Sequence, residues 1–374
     1  MGSNSEVKSS IKVAIVHDWL VGGGAERVVE QLHKLYPDAP IYTSYCSDEW
    51  RAKLDGKVVT GFLQHWPFSK LRKFAGPLRL WWFGHIDLKE YDLVISSAGN
   101  GEAKDINVPK GVKHICYCHA PTHFYWRSYQ QYLDKPGFGV LNPVARLGLK
   151  LLVGPMRRRD YKAAQKPDAF IANSSFIQKE IKQYYGRDSV VINPPVDTQR
   201  YNNVASTIER KGYVTMGRQV AYKRTDLIVD ACTKLNLPLT VIGRGPEHDD
   251  LIRRAGPSVT FRTDVVDEQM PEILASAHAF IFAATEDFGV APVEAMAAGT
   301  PVVAYKAGGA LDYVIPGVSG QFFDEQTLSC LCDTLSSFDA NSFKPSDVAA
   351  HAQTFSAQNF ANKLKAFVDE QIGS

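Results

Sequence analysis

Two glutamates stand eight residues apart after one apolar segment of this 374-residue chain. Glu286 follows the apolar run 279–283, and Glu294 lies about two helical turns further on, on the same general face. One carboxylate is suited to sugar hydroxyls and the other to a ribose. The alternative is structural, with Glu286 as a helix-dipole partner and Glu294 as a surface residue. Backbone amides that would point at an anion at the helix start are those of Phe288, Gly289, Val290 and Ala291.

Two cations follow the first predicted strand of the second half. Arg218 and Lys223 come directly after the apolar run 212–216. Such a pair suits a diphosphate, because arginine gives planar two-pronged hydrogen bonds and lysine gives a point charge. Taken by itself, the pair is more typical of a solvated surface.

A glycine run occupies the corresponding place in the first half. Gly22, Gly23 and Gly24 lie between a short apolar run and a helical pattern. Free amides and the helix dipole can hold an anion there, and glycine allows a phosphate to approach closely. The run has neither the Gly-x-Gly-x-x-Gly fingerprint nor the Gly-Lys-Ser/Thr ending of a P-loop. A simple tight turn explains it equally well.

The elements around these residues predict two doubly wound α/β domains. Most apolar runs are continuous and separated by helix-length segments, which is typical of parallel sheets covered on both faces. The proline-rich segment 193–197 predicts a boundary, with domains at 1–200 and 201–354. An amphipathic final helix, at about 355–372, can cap either domain. The predicted strands are 12–16, 93–96, 113–117, 169–172, 190–192, 212–216, 239–242, 259–262, 279–282 and 301–304.

Composition excludes several classes of protein. Hydrophobic residues make up 45% of the chain and charged residues 22%, so disordered, collagen-like and disulfide-scaffold proteins are excluded. No stretch approaches the roughly 20 apolar residues of a membrane span, and the polar start lacks a signal-peptide core, which predicts a cytoplasmic protein. Cys116 and Cys118, like Cys330 and Cys332, lack metal-site spacing and are predicted to be reduced thiols.

Charge is distributed unevenly along the chain. Residues 1–200 carry 28 Lys and Arg against 19 Asp and Glu, a net charge of +9, whereas residues 201–374 carry 14 against 21, a net charge of −7. The asymmetry predicts different partners for the two halves. Nucleic acid is weakly supported, because no Lys/Arg block or RNA-binding signature occurs.

A basic and aromatic segment at 62–82 suits an anionic membrane surface. A second basic stretch lies at 156–162. The alternative places the aromatic side chains in the core and leaves the cations solvated. We favour a peripheral location at the inner face of the cell membrane. The residues predicted to contact the membrane or the acceptor are Trp66, Lys70, Arg72, Lys73 and Arg79.

The ordered set of these motifs resembles the family 4 retaining glycosyltransferases of the GT-B fold, over residues 11–368. The segments Cys116–Pro121 and Tyr222–Asp226 are most similar to bacterial mannosyltransferases of O-antigen and polysaccharide assembly. The sequence departs from them at Ala120 and at Thr122-His123, on the acceptor and sugar side. The matching motifs are Gly23-Gly24-Ala25-Glu26, Gly217-Arg218 with Lys223, Gly243-Arg244-Gly245-Pro246-Glu247, Glu286-x7-Glu294, Gly299-Thr300-Pro301-Val302-Val303, and Gly308-Gly309 with Gly317-Val318-Ser319-Gly320.

The resemblance implies a role for each matching residue. Arg218 and Lys223 would bind the donor diphosphate, Glu294 the ribose and Glu286 the sugar hydroxyls. His119 would face the reacting sugar. The residues implied to line the rest of the donor site are Gly23, Gly24, Gly243, Arg244, Val266, Phe288, Gly289 and Val290. Of these, Gly23 and Gly24 would meet either the phosphates or the acceptor from the first domain. The resemblance also implies two domains facing a cleft, with the last helix crossing back to the first domain.

The implied reaction is transfer of a hexose with retention of configuration. No Asp-x-Asp occurs in the sequence, so we expect neither a metal nor a cofactor, with the cations stabilising the leaving diphosphate. The expected donor is a nucleotide sugar, GDP-mannose first, and the expected acceptor is lipid-linked or a saccharide. Alternatives are a UDP-sugar transferase (glucosyl or GlcNAc), a non-catalytic nucleotide-sugar or polysaccharide binding protein, and a sugar phosphorylase.

Overall fold

The computed structural model describes residues 11–71, 75–134, 139, 142–201 and 209–373. The chain divides into two compact units. The first takes in the chain up to Asn173, Ile177–Ile192 and the chain from Leu364 onward. The second takes in Ser174–Phe176 and Asn193–Lys363.

The first unit contains a parallel sheet. Strands β1 and β4 are buried along their whole length, as continuous apolar strands covered on both faces should be. The strands are β1 Val13–His17, β2 Ile41–Thr43, β3 Val58–Thr60, β4 Leu93–Ala98, β5 Lys113–Cys118, β6 Ala169–Ala172 and β7 Val190–Val191. Their order across the sheet is β3-β2-β1-β4-β5-β6-β7, and every pair is parallel.

Helices connect these strands. In α1 the apolar residues Val28, Val29 and Leu32 recur at helical spacing and are buried. The side chain of Ser47 caps α2 by accepting a hydrogen bond from the amide of Trp50. The helices are α1 Gly24–Leu35, α2 Asp48–Lys53, α3 Phe68–Leu71, α4 Gly76–Phe83, α5 Tyr129–Asp134, α6 Asn142–Ala163 and α7 Ser175–Tyr185, with a 3-10 helix at Phe62–Gln64.

The second unit repeats this arrangement with six strands among the described residues. The strands are β8 Tyr213–Met216, β9 Leu239–Ile242, β10 Val259–Arg262, β11 Ala279–Phe282, β12 Val302–Tyr305 and β13 Gly320–Phe323. All pairs are parallel and the order is β10-β9-β8-β11-β12-β13. The prediction of two doubly wound α/β sheets is therefore confirmed.

The second half of the chain carries eight further helices within the described ranges. They are α8 Thr225–Lys234, α9 His248–Arg254, α10 Met270–Ala275, α11 Val290–Ala297, α12 Ala310–Tyr313, α13 Leu328–Ser337, α14 Pro345–Ala352 and α15 Ala357–Gly373. Short 3-10 helices lie at Gln199–Tyr201, Ala221–Lys223, Asp267–Gln269, Ala340–Ser342 and Gln353–Phe355. Across the described chain, no helix combines the length and apolar character needed to cross a bilayer.

The strand order of each sheet reverses at one point. In the first unit the reversal lies between β1 and β4, and in the second between β8 and β11. In open parallel sheets, ligands bind outside the carboxyl ends of strands at such a point. The loops after these four strands are therefore the expected location of a ligand site in each unit.

Candidate active site

The centre of the candidate donor site is an ion pair in the second unit. Lys223 ends the 3-10 helix that follows β8, and Glu286 lies in the loop after β11. Lys223 Nζ is 2.7 Å from Glu286 Oε1, and each side chain is about one-fifth exposed. Arg218 is exposed and forms no ion pair with any residue that the structure describes. Two of the predicted donor residues thus meet directly, beside a third that faces solvent.

Two glycines hold the loop that carries Glu286. The amide of Gly309 donates to the carbonyl oxygen of Glu286 at 2.9 Å. A Cβ atom on Gly308 would lie 2.5 Å from that same oxygen, and one on Gly309 would overlap the backbone of Phe288. Only glycine allows this approach, so the Gly308-Gly309 motif positions the loop after β11.

The loop continues into α11 through a buried aromatic residue. Phe288 is 3% exposed and packs edge-on against Tyr313, so its side chain belongs to the core and only its backbone can face a ligand. Gly289 follows with φ +88° and begins the turn into α11. The first amides of a helix have no intrahelical acceptor and are available to an anion. Glu294 is buried in the middle of α11, at 6% exposure, and is not a surface residue.

A glutamine and a histidine join the two glycine loops of the second unit. Gln219, 1% exposed, donates from Nε2 to the carbonyl oxygen of Gly243 at 2.8 Å. Its Oε1 lies 2.7 Å from Nδ1 of His248, which donates this bond because the amide oxygen can only accept. A Cβ on Gly243 would lie 2.5 Å from the carbonyl oxygen of Gly217, which explains the glycine there. No sequence motif predicts this pair, because Gln219 and His248 are 29 residues apart.

The other predicted donor residues lie around this framework. Arg244 and Val266 are exposed. A pocket at the carboxyl ends of the central strands is lined by Gly217, Gln219 and Lys223 together with Phe282. Among the described residues, no group of three or more His, Cys, Asp or Glu side chains is arranged to hold a metal ion. All six cysteines are free thiols.

In the first unit, His119 belongs to a buried polar cluster. His119 Nε2 lies 2.8 Å from Ser97 Oγ, and His17 Nδ1 lies 2.9 Å from the carbonyl oxygen of Ser97. Since that carbonyl can only accept, His17 Nδ1 carries a proton. Burial, with His17 nearby, lowers the pKa of His119 to about 3. His119 is therefore a neutral imidazole at physiological pH. It can form hydrogen bonds, but it does not readily accept a proton and become charged.

The glycine run before α1 is closed by its own glutamate. Glu26, 5% exposed, accepts hydrogen bonds from the amides of Gly22 at 3.0 Å and Val21 at 3.4 Å. Gly23 and Gly24 are exposed beside this carboxylate. A negative charge at this position opposes the approach of a phosphate, and it leaves fewer amides of the glycine run available to an anion.

The loop after β4 is held by buried acids. Asp18 accepts hydrogen bonds from the amides of Gly99, Asn100 and Ala103 at 2.7–2.8 Å. Glu102 pairs with Arg79 at 2.7 Å, with side-chain exposures of 9% and 12%. Burial, with Asp18 nearby, raises the pKa of Glu102 to about 7.

This pairing corrects one part of the predicted basic segment. Arg79 is committed to a buried carboxylate and does not offer a solvated cation to lipid. Trp66 is 76% exposed and Lys70 is also exposed. Arg72 and Lys73 lie outside the described residues.

A second buried charge cluster explains the unusual Thr122. Asp160 accepts from Lys104 Nζ at 2.6 Å and from Thr122 Oγ1 at 2.9 Å through one oxygen. Its other oxygen accepts from Trp126 and Tyr185. Although burial alone would lower it, the Asp160 carboxylate holds the pKa of Lys104 well above its usual value. Thr122 is thus part of the structural support of this region.

Two family models divide the chain between them. The model of Glycosyltransferase Family 4 matches residues 22–200, and that of Glycosyl transferases group 1 matches residues 202–354. The second match contains Arg218, Lys223, Glu286 and Glu294, and the first contains His119. The chain is a glycosyltransferase of the GT-B fold.

Named relatives agree with the assigned activity, and a solved structure agrees with the fold. The alpha-1,3/1,6-mannosyltransferase alg2 of Schizosaccharomyces pombe is 22% identical, with 85% of this glycosyltransferase and 71% of the relative aligned. A GDP-Man:Man(3)GlcNAc(2)-PP-Dol alpha-1,2-mannosyltransferase of Xenopus laevis is 27% identical, over 88% and 78% respectively. The structure of Anabaena Alr3699/HepE in complex with UDP has a TM-score of 0.70 at 20% identity, over 96% of this chain and 100% of that one.

Proposed function

We propose that this glycosyltransferase moves a mannosyl group from GDP-mannose to a lipid-linked or saccharide acceptor, with retention of configuration and without a metal ion. The observation that carries the proposal is the Lys223–Glu286 ion pair beside the exposed Arg218 at the strand-order reversal of the second unit. The arrangement supplies two cations for a diphosphate and one carboxylate for sugar hydroxyls within one small site.

In the proposed reaction, the acceptor oxygen replaces the leaving phosphate on the anomeric carbon without a covalent enzyme intermediate. The bond between the anomeric carbon and the leaving phosphate oxygen breaks, and a bond forms between that carbon and an acceptor oxygen on the same face. The acceptor proton passes to the departing phosphate. Negative charge grows on the diphosphate in the transition state, where Arg218, Lys223 and the first amides of α11 stabilise it.

Glu286 and His119 have different tasks in this proposal. Glu286 accepts hydrogen bonds from sugar hydroxyls once the diphosphate draws Lys223 away. His119, neutral because it is buried, contributes a hydrogen bond without adding a charge to the reacting sugar. Glu294 binds the ribose from α11, where its burial keeps it in one conformation.

The choice of GDP-mannose is supported by the names of relatives. The Xenopus relative is named for GDP-Man, and a relative from Mycolicibacterium smegmatis, 30% identical over 35% of this chain, is named a GDP-mannose-dependent mannosyltransferase acting on a phosphatidylinositol monomannoside. Both names include a lipid, which supports a lipid-linked acceptor in polysaccharide or glycolipid synthesis.

A second candidate donor is a UDP-sugar. The solved Anabaena structures with similar folds contain UDP and UDP-glucose. A thermal-shift panel of GDP, UDP, GDP-mannose, UDP-glucose and UDP-GlcNAc distinguishes the candidates. The mannose proposal expects the largest stabilisation with GDP-mannose. A larger increase in melting temperature with a UDP-sugar would make that sugar the donor in place of GDP-mannose. No increase with any member of the panel would contradict the proposed site.

A further inference from the structure

Helix α6 of the first unit carries an apolar stripe that faces solvent. Val144, Leu147 and Leu151 recur at three- and four-residue steps and are 69%, 60% and 67% exposed. Leu152 borders the stripe and is 52% exposed. Single exposed aliphatic residues are common, but four on one helix face are not, and such a patch marks an interaction site.

The stripe continues into cations toward the end of the helix. Arg158 and Lys162 follow at the same helical spacing and are exposed, and neither forms an ion pair with a described residue. Lys150 is a further exposed cation on the helix. From Val144 to Lys162 the face is about 27 Å long at 1.5 Å per residue. It is aliphatic over its first part and basic over its last two turns.

The other side of α6 is fixed to the first unit. Val153 and Asp160 are buried, and Asp160 holds the Lys104 cluster. Arg146 donates to the carbonyl oxygens of Leu133 and Asp134 on α5. Arg157 donates to the carbonyl oxygen of Tyr125. The exposed stripe is therefore held in a defined orientation by the rest of the helix.

We infer that this face of α6 docks the first unit on an anionic membrane surface. The aliphatic side chains enter the boundary between headgroups and acyl chains, while Arg158 and Lys162 bind headgroup phosphates. The helix has 22 residues but is too polar to cross the bilayer, so it lies in the interface plane. The net charge of +9 on the first 200 residues would attract this part of the chain to an anionic surface.

This surface differs from the segment at 62–82 that the sequence favoured. There, Arg79 is paired with Glu102 and only Trp66 and Lys70 among the described candidates are exposed. The inference rests on the proposed function only for the acceptor, because docking through α6 brings the first unit to a lipid-linked substrate. Vesicle binding needs no donor, so its failure leaves the transferase proposal standing.

Co-sedimentation of the full chain with vesicles tests the inference. Vesicles of phosphatidylcholine with phosphatidylglycerol should sediment the protein, vesicles of phosphatidylcholine alone should do so much less, and added salt should release it. Arg158→Gln/Lys162→Gln should lower the partition coefficient on the order of 30-fold, and Leu147→Ser/Leu151→Ser by at least as much. The matched control Trp66→Ser/Lys70→Gln should bind like the unmodified protein.

Each variant is checked for nucleotide binding, which reports an intact second unit, and by circular dichroism. Unchanged sedimentation of both stripe variants, or loss only in the Trp66→Ser/Lys70→Gln control, would overturn the inference in favour of the other segment. Failure of the unmodified protein to sediment with anionic vesicles would also overturn the inference. If that protein instead forms a dimer and Leu147→Ser/Leu151→Ser dissociates the dimer, the stripe is covered by a second copy of the chain and not by lipid.

Discussion

The ammonium nitrogen of Lys223 lies 2.7 Å from Oε1 of Glu286, so the residue proposed for the diphosphate neutralises the residue proposed for the sugar. The pair joins the loops that follow β8 and β11, the two strands at which the sheet order reverses. A diphosphate that binds Lys223 must compete with this carboxylate. In the proposed donor site, this single ion pair would therefore couple binding of the sugar to binding of the diphosphate.

The substitution Glu286→Gln tests that coupling. Removing the carboxylate charge frees Lys223, so a nucleoside diphosphate without a sugar should bind up to about fivefold more tightly, since a partly exposed pair is worth up to about 1 kcal/mol. Glycosyl transfer should fall, because the sugar hydroxyls lose their acceptor. Calorimetric titration and a transfer assay give the two readouts. The exposed Glu325→Gln serves as the control, and weaker diphosphate binding by Glu286→Gln would contradict the coupling.

If Arg218 and Lys223 bind the diphosphate as proposed, Arg218→Ala and Lys223→Ala each remove a charge-assisted hydrogen bond worth roughly 1.5–3 kcal/mol. Donor affinity should fall by about tenfold or more in each variant while the melting temperature stays close to that of the unmodified protein. Arg253→Ala on α9 removes a cation that is 69% exposed and pairs with Asp250, and it should have no effect. Unchanged nucleotide affinity in both variants would end the assignment.

The Gln219–His248 pair should position the two loops beside the proposed donor site. His248→Leu leaves the buried amide oxygen of Gln219 without its donor, which costs about 1–3 kcal/mol of unfolding free energy. His248→Asn places an amide where Nδ1 stands and should retain most of the stability and of the nucleotide affinity. Denaturant unfolding and titration check both variants. Equal losses in the two variants would show that size, and not the hydrogen bond, matters at this position.

Much of the fold is predictable from the sequence because most of its strands are apolar runs separated by helix-length segments. The runs at 169–172, 239–242, 259–262 and 279–282 form strands with the predicted ends. Strands β2, β3 and β13 were missed, since the first two have three residues each and β13 begins with glycine. Such short segments gain their strand conformation from neighbours already in the sheet, which periodicity does not reveal.

The candidate site is less predictable than the fold. Topology explains why Lys223 and Glu286 meet, because both follow strands next to the reversal of the sheet. It does not reveal that Phe288 is buried, that Glu26 binds the amides before Gly23, or that Gln219 bonds to His248. These contacts depend on side-chain directions in loops, for which sequence spacing carries no information. The prediction for Arg79 failed for the same reason, since Glu102 is 23 residues away in sequence.

Stability should fall in mild acid because of two buried histidines. Burial is the main cause that lowers the pKa of His114 and of His119 to about 3, far below their usual 6.5. At these two histidines the unfolded chain therefore binds more protons than the folded one below pH 6.5. The raised pKa of Glu102, about 7, acts in the opposite direction and offsets one of these protons as pH falls from 7 toward 4.5. The stability that the neutral rings retain above this pH is lost as pH falls toward 3, at about 1.4 kcal/mol per pH unit for each histidine.

Denaturant unfolding between pH 7 and pH 4 measures this dependence. His119→Asn should reduce the slope against pH by roughly one proton, whatever its effect on stability at pH 7. His351→Asn, at a half-buried histidine bonded to the carbonyl oxygen of Tyr313, is the comparison. An unchanged slope in His119→Asn would show that this ring titrates normally in the folded protein.

Chelation tests how the leaving group is stabilised. If Arg218, Lys223 and the amides at the start of α11 provide the positive charge, transfer should continue at an undiminished rate in excess EDTA. The assay uses protein dialysed against the chelator, with manganese and magnesium added back in parallel. Loss of activity on chelation, with recovery by either metal, would mean that a cation carries the charge that we assign to these groups.

The most direct test of the donor site is the release of nucleoside diphosphate from GDP-mannose and from UDP-glucose by the purified protein, with Arg218→Ala and Lys223→Ala in parallel. The account predicts measurable release by the unmodified protein with one of the two donors, an increase when an acceptor is supplied, and a loss of at least tenfold in both variants. Tight nucleotide binding without any release, with or without acceptor, would contradict it and would identify a binding protein that retains the fold.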